Sequence, residues 1–161
     1  MQTLLCVSKT YCMAVFEILI YLCENSVTQS IHVMEALITQ GIKISVEPFY
    51  LPQESMPVQH RYVFAYRITI ENLSQETVQL LRRHWHIVES NGIKKEVEGE
   101  GVVGEQPVLG PEERFQYTSW CPLMTDTGKM YGTFLMIRKS DEQQFRVEIP
   151  AFRLYPPFKM N

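Results

Sequence analysis

Gly99-Glu100-Gly101-Val102-Val103-Gly104-Glu105-Gln106-Pro107 carries the spacing G-x-G-x-x-G, and the reading of this run decides the fold. In a dinucleotide-binding fold such glycines lie between a strand and a helix, and bring pyrophosphate to the helix N-terminus. The strand is present here, since Ile93 to Glu98 has strand character. The helix is not. Pro107 and the turn Leu109-Gly110-Pro111 interrupt any helical run after Gly104, because proline fixes φ and lacks an N–H. The run is therefore a glycine-rich connection inside an all-β domain.

The flanking sequence has period two. Ile42, Ile44 and Val46 alternate with Lys43, Ser45 and Glu47; Tyr62, Phe64, Tyr66, Ile68 and Ile70 alternate with a set ending in Arg67, Thr69 and Glu71; Phe145, Val147 and Ile149 alternate with Arg146 and Glu148. Such alternation marks strands with one buried face. Turn signals separate them at Glu71-Asn72, Asn91-Gly92, Gly110-Pro111, Asp126-Thr-Gly128 and Ser140-Asp141. About seven strands with regular breaks predict an antiparallel β-sandwich of the immunoglobulin or fibronectin type III kind.

Asn91-Gly92 is the signature of a two-residue type I′ hairpin. That turn pairs Ser90 with Ile93 and, continued without a bulge, sets Trp85 opposite Glu98, His84 opposite Gly99 and Arg83 opposite Glu100. Arg83 and Glu100 are then a cross-strand ion pair worth ~0.2–1 kcal/mol.

A net charge of −3 over 161 residues, with 20% charged and 45% hydrophobic residues, suits a globular domain and gives no basic stripe for nucleic acid. Of the four cysteines, Cys6, Cys12 and Cys23 precede the β pattern and only Cys121 falls within it. No C-x-x-C pair is present, so neither a zinc knuckle nor a disulfide framework is written, and the cytoplasm is the expected location. The apolar run Met13 to Cys23 is short for a membrane span and contains Glu17. Residues 1–33 read either as a short helix, with Val15, Ile18, Leu19 and Leu22 on one face, or as an extension upstream of a native start at Met34. Residues 34–161 form the β-sandwich domain.

Tyr62-Val-Phe-Ala-Tyr66, Ile70-Glu-Asn72, Val78-Gln-Leu-Leu81, Arg83-His-Trp85, Gly99 to Pro107 and Pro150-Ala-Phe-Arg-Leu154, in that order, resemble the ApaG-domain family over about Thr39 to Pro157. The resemblance implies a fibronectin type III-like sandwich. It also favours Met34 as the start, because single-domain bacterial members begin just before a Thr-x-Gly-Ile segment, here Thr39-Gln-Gly-Ile42. ApaG proteins have no assigned catalytic activity. Bacterial members are linked to cobalt and magnesium homeostasis, and eukaryotic members carry the domain inside F-box proteins and a polymerase-associated protein. This implies a non-catalytic binding module with a protein partner. Two positions depart from the pattern: Trp120 in Ser119-Trp-Cys-Pro122, where many members have glycine, and His86, where the family often has an aliphatic residue.

Arg83, His84, Trp85, Gly99, Gly101, Gly104 and Glu105 are the candidate binding residues. The alternative function is anion or nucleotide (pyrophosphate) binding, with or without hydrolysis, by backbone N–H groups of the Gly99–Gly104 loop; Glu98, Glu100 and Glu105 oppose it by repelling phosphate. His84 and His86 form H-x-H on one strand face, a pattern able to chelate a metal. The hairpin register above fixes no carboxylate beside them, so the expectation is a buried or hydrogen-bonded His84, an exposed His86, no metal and no cofactor. Cys121 has no orienting partner in the sequence and is not expected to be a nucleophile. No membrane or nucleic-acid partner is expected. A protein beginning at Met34 should unfold cooperatively with the melting temperature of the full chain; loss of that cooperativity would put the apolar run in the core.

Overall fold

The structure, a computed structural model, describes residues 34–159. The expectations for residues 1–33 lie outside this range. Nine strands build two antiparallel sheets: β1 (Glu35–Thr39), β2 (Ile42–Tyr50), β3 (Tyr62–Asn72), β4 (Val78–Glu89), β5 (Lys94–Glu100), β6 (Val108–Leu109), β7 (Arg114–Leu123), β8 (Gly128–Arg138) and β9 (Gln144–Leu154). One sheet has the order β1-β2-β3-β7. The other has the order β5-β4-β8-β9, with β6 added on β4. The protein is an all-β sandwich, as the alternation predicts, and the short strands β1 and β6 account for the two beyond seven. Among the described residues no helix is long and apolar enough to cross a membrane.

The alternating residues meet between the sheets. Ile42, Ile44, Val46, Phe64, Ile68 and Ile70 from one sheet pack against Leu80, Trp85, Phe134, Met136, Val147 and Phe152 from the other, all essentially buried. At ~25 cal/mol per Å² of apolar surface removed from water, this inter-sheet layer is the main stabilising term.

Two bulges adjust the phase. In β4 the pairing with β8 shifts between Leu80 and Arg82. The inward set therefore changes from Val78 and Leu80 to Trp85 and Ile87, while His84 and His86 turn outward. In β9 the pairing with β8 runs from Phe152 opposite Met130 to Ile149 opposite Gly132. Pro150, which has no N–H to give a ladder, sits in that irregularity.

Asn72, fully buried at the end of β3, ties two turns together. Its Nδ2 donates to the carbonyls of Glu76 (2.8 Å), Leu109 (3.0 Å) and Gly110 (3.0 Å), and its Oδ1 accepts from the Ser74 N–H (3.0 Å) and hydroxyl (2.7 Å). All of its polar capacity is used inside the protein, which is what burial of an amide requires.

The β4–β5 hairpin corrects the expected register. Glu89 pairs through Ile93 (N···O 2.9 Å), and the ladder continues Val88–Lys94, His86–Glu96, Trp85–Val97, His84–Glu98, Arg83–Gly99 and Arg82–Glu100. Every expected pair is thus off by one, and Arg83 and Glu100 are not opposite each other. The connection is the three-residue loop Ser90-Asn91-Gly92, with Gly92 at φ 87° and its N–H bonded to the Glu89 carbonyl. Two interactions select it. The Ser90 N–H points at the neighbouring turn, to Thr127 O (3.1 Å) and Thr125 Oγ1 (3.3 Å), so it cannot pair with Ile93. The Asn91 side chain accepts the Ile93 N–H (3.0 Å), which settles Asn91 without a left-handed backbone.

Glu89 closes this hairpin with a buried carboxylate. It pairs with Lys95 (2.5 Å) and accepts the Met124 N–H (2.8 Å) and the Thr125 hydroxyl (3.4 Å). Burial pushes the carboxyl up, but the Lys95 ammonium, the Met124 amide and the Thr125 hydroxyl outweigh it and hold it below its ordinary value of 4.5. A lowered folded-state value makes this stabilisation complete above the ordinary carboxylate range and lost as pH falls through the lowered value. Glu89→Gln should cost about 1–3 kcal/mol at pH 7, and the gap to the parent should close as the pH is taken below the ordinary carboxylate range. Urea unfolding at both pH values reads it; a gap independent of pH would show that the charge does not matter.

Candidate functional site

The glycine run leaves β5 and folds back onto the β4 bulge. Leu81, the extra residue of that bulge, presents its carbonyl to the Gly101 N–H (2.9 Å) and to Gln106 Nε2 (2.9 Å). One residue on, the Leu80 N–H donates to the Pro107 carbonyl (3.0 Å). Between these anchors Val102 and Glu105 exchange both backbone hydrogen bonds, at 2.8 and 2.9 Å. Val103 (φ 51°) and Gly104 (φ 81°) form the two-residue tip, with the pair of positive φ values that marks a type I′ turn. Val102 is fully buried beneath it, while Val103 stays 52% exposed.

Gly101 is needed twice over. It has φ 55°, and a Cβ there would collide with the Glu105 carbonyl. Gly99 is needed only for room. The Arg83 guanidinium lies across it, and a Cβ would meet the Arg83 Cζ and both terminal nitrogens at 3.2 Å. From that position Arg83 Nη1 donates to the carbonyls of Glu100 (2.9 Å) and Gly101 (2.8 Å). Arg83 is therefore a clamp on the loop's backbone, not the cross-strand partner of the Glu100 carboxylate.

This geometry works against the anion alternative. The N–H groups of Gly101, Val102 and Glu105 are all donated within the protein, and Arg83 is turned onto carbonyls. A groove of about 900 Å³ does exist, but at the other end of β4. Val88, Glu89, Gly128, Lys129, Arg153 and Lys159 line it in part, and no residue of the glycine run does.

The remaining candidates separate by face. Trp85 points into the core, 2% exposed, with its ring edge-on to Tyr66 (5.3 Å between centroids), Phe134 (6.4 Å) and Phe152 (6.0 Å). It is a core aromatic, so its place among the binding candidates does not hold. His84 and His86 point outward, and the true register brings Glu96 between them: Oε2 lies 3.0 Å from His84 Nε2 and Oε1 3.4 Å from His86 Nδ1. The two imidazoles hold the Glu96 carboxyl below its ordinary value. The expectation that no carboxylate lies beside the histidine pair is thus overturned. His84 is hydrogen-bonded, as expected, and His86, expected to be exposed, is partly covered by Tyr131, whose ring stacks on it at 4.9 Å.

Cys121 lies on the inner face of β7, in the sheet that does not carry the histidines, and burial pushes its thiol up to about 12. Burial thus favours the protonated thiol, and the nucleophilic form is the thiolate. A buried phenol pair, which no motif marks, lies in the same sheet. Burial raises Tyr66 to about 12 and Tyr117 well above its ordinary value, and the Tyr117 hydroxyl has no hydrogen-bond partner among the described residues. Trp120, the departure from the family pattern, stands opposite Ala65 on the outer face of β7 and is 39% exposed.

Comparison with known proteins agrees with this architecture. A family model described as the ApaG domain matches residues 52–138. ApaG proteins of Brucella canis and Brucella suis are 52% identical over 124 residues, which cover 77% of this chain and 95% of each relative. The crystal structure of the ApaA protein from Bordetella pertussis is 43% identical, with a TM-score of 0.70 over 72% of this chain and 94% of that one.

The two glycines should respond differently to alanine. Gly101→Ala should cost more than ~1 kcal/mol, because it combines a positive φ with a backbone collision. Gly99→Ala should cost less, since the neighbour that must move is the end of an arginine side chain. Thermal unfolding ranks them; a larger loss at Gly99 would show that the Arg83 clamp outweighs the turn.

Proposed function

The chain belongs to the ApaG-domain family, and on that premise we propose that it is a cytoplasmic, non-catalytic binding module that presents the Val102–Glu105 turn to a protein partner. The observation that carries this reading is Val103. A type I′ tip favours Asn-Gly, whose first residue tolerates φ > 0. A β-branched residue there is strained by about 1–2 kcal/mol. Position 103 nonetheless holds a valine with half its surface in water. Strain combined with exposure has no use in packing, and it makes sense where the apolar tip is the feature to be recognised. Gly104 and Glu105 complete the tip, and Arg83 with the Leu81 carbonyl holds it rigid in advance of binding. Any part in cobalt or magnesium homeostasis runs, in this reading, through what the module binds.

Val103→Asn separates stability from recognition. It should raise the melting temperature or leave it unchanged, while capture of the partner from a cell extract falls sharply relative to the parent. Calorimetry with pyrophosphate should give no heat with the parent or with Glu105→Lys. Pyrophosphate binding that strengthens in Glu105→Lys would replace this reading with the anion one, and a destabilised Val103→Asn would remove the strain argument.

A further inference from the structure

We propose that His84, His86 and Glu96 form a surface site for a divalent transition-metal ion of the zinc class, clipping β5 to β4. The site is independent of the turn reading and stands without it. Its donor atoms, one from each residue, lie within 4.8 Å of one another. A zinc–ligand bond of about 2.0–2.1 Å at tetrahedral angles puts neighbouring donors roughly 3.3 Å apart. The observed separations, 3.0 Å from His84 Nε2 to Glu96 Oε2 and 3.4 Å from His86 Nδ1 to Glu96 Oε1, are close to that, with one carboxylate oxygen facing each ring. The two imidazoles lie side by side, with ring centroids 4.4 Å apart.

The surroundings favour this use. Positions 84 and 86 share one face of β4 because they are two apart, and Glu96 stands directly across the ladder from His86. Tyr131, opposite His86 on β8, stacks on that ring with an interplanar angle of 20° and fixes its plane. Lys129 lies over the far ring, 5.5 Å from the Tyr131 centroid. Arg82, two residues before His84 on β4, is matched by Glu98 at 3.4 Å, and Glu96 faces the histidines. Side-chain exposures of 36% for His84, 30% for His86 and 65% for Glu96 leave water to complete the coordination. Two imidazoles and one carboxylate suit a borderline ion such as Zn²⁺. They do not suit Mg²⁺, which demands octahedral oxygen donors and keeps its waters.

The test titrates Zn²⁺ into the full chain, the His84→Ala/His86→Ala double variant and Glu96→Gln, by calorimetry and by imidazole ¹⁵N resonances. The cysteines and other histidines supply a background common to all three proteins. The full chain should bind one equivalent more than the double variant, and Glu96→Gln should weaken that equivalent at least tenfold. The His84 and His86 resonances should shift together while His60 does not. Equal stoichiometry and affinity in the full chain and the double variant would overturn the proposal. Unmoved His84 and His86 resonances in the full chain would do so without relying on any variant. Mg²⁺ producing the same resonance shifts would overturn the assignment of metal class.

Discussion

The carbonyl of Leu81 is the point on which the functional half of the sandwich turns. Leu81 is the residue that β4 carries in excess of its partner β8. An unpaired carbonyl in a bulge must find donors, and this one takes the Gly101 N–H and the Gln106 amide. The same bulge reverses the phase of β4, sending Trp85 into the core and both histidines to the outside. The loop is thus anchored on the residue that shifts the phase. A strand without Leu81 would keep the pairing with β8, since Leu80 and Arg82 face the neighbouring residues Met136 and Leu135, but the glycine run would lose the carbonyl on which it docks.

Much of the fold was legible because it depends on period two, and period two survives local error. The strands holding Ile42 to Val46, Tyr62 to Ile70 and Phe145 to Ile149 lie where their alternation puts them. The candidate site was less legible because it depends on register, where a shift of one residue changes every neighbour. Asn91-Gly92 does mark a hairpin. What selects its loop length, however, is the Ser90 N–H bonding to Thr127 and Thr125, and those residues are more than thirty positions away. No reading of the hairpin alone contains that contact. The consequence is chemical as well as geometric, because in the shifted register Glu96 and Glu98 would face the core side and the histidines would have no carboxylate.

Arg83 and Glu89 illustrate a second limit of sequence reading. Both look like surface charges, and both are structural. Arg83 spends its donors on the Glu100 and Gly101 carbonyls over a glycine that makes room for it. Glu89 is buried at the hairpin end and satisfied by groups from β5 and the β7–β8 turn. Charged side chains that satisfy backbone or bridge turns are hard to distinguish in sequence from charges that meet a ligand, since the residue types are the same. Burial and partners separate them.

The outward face of the β5–β4 pair poses the last problem. β5 is an edge strand, almost wholly exposed, and edge strands need charge to prevent pairing with another chain. Lys94, Lys95, Glu96, Glu98 and Glu100 meet that need without any histidine on the neighbouring strand. Edge protection therefore explains the acids and lysines of β5 but says nothing about β4, where His84 and His86 stand two apart with a tyrosine ring flat against one of them. Cross-strand pairing with a carboxylate would be served equally by lysine or arginine, as Arg82 serves Glu98 one rung away. Imidazole differs from these in carrying ring nitrogens that can serve as metal ligands, and two such rings beside a carboxylate form a donor set that lysine or arginine could not supply.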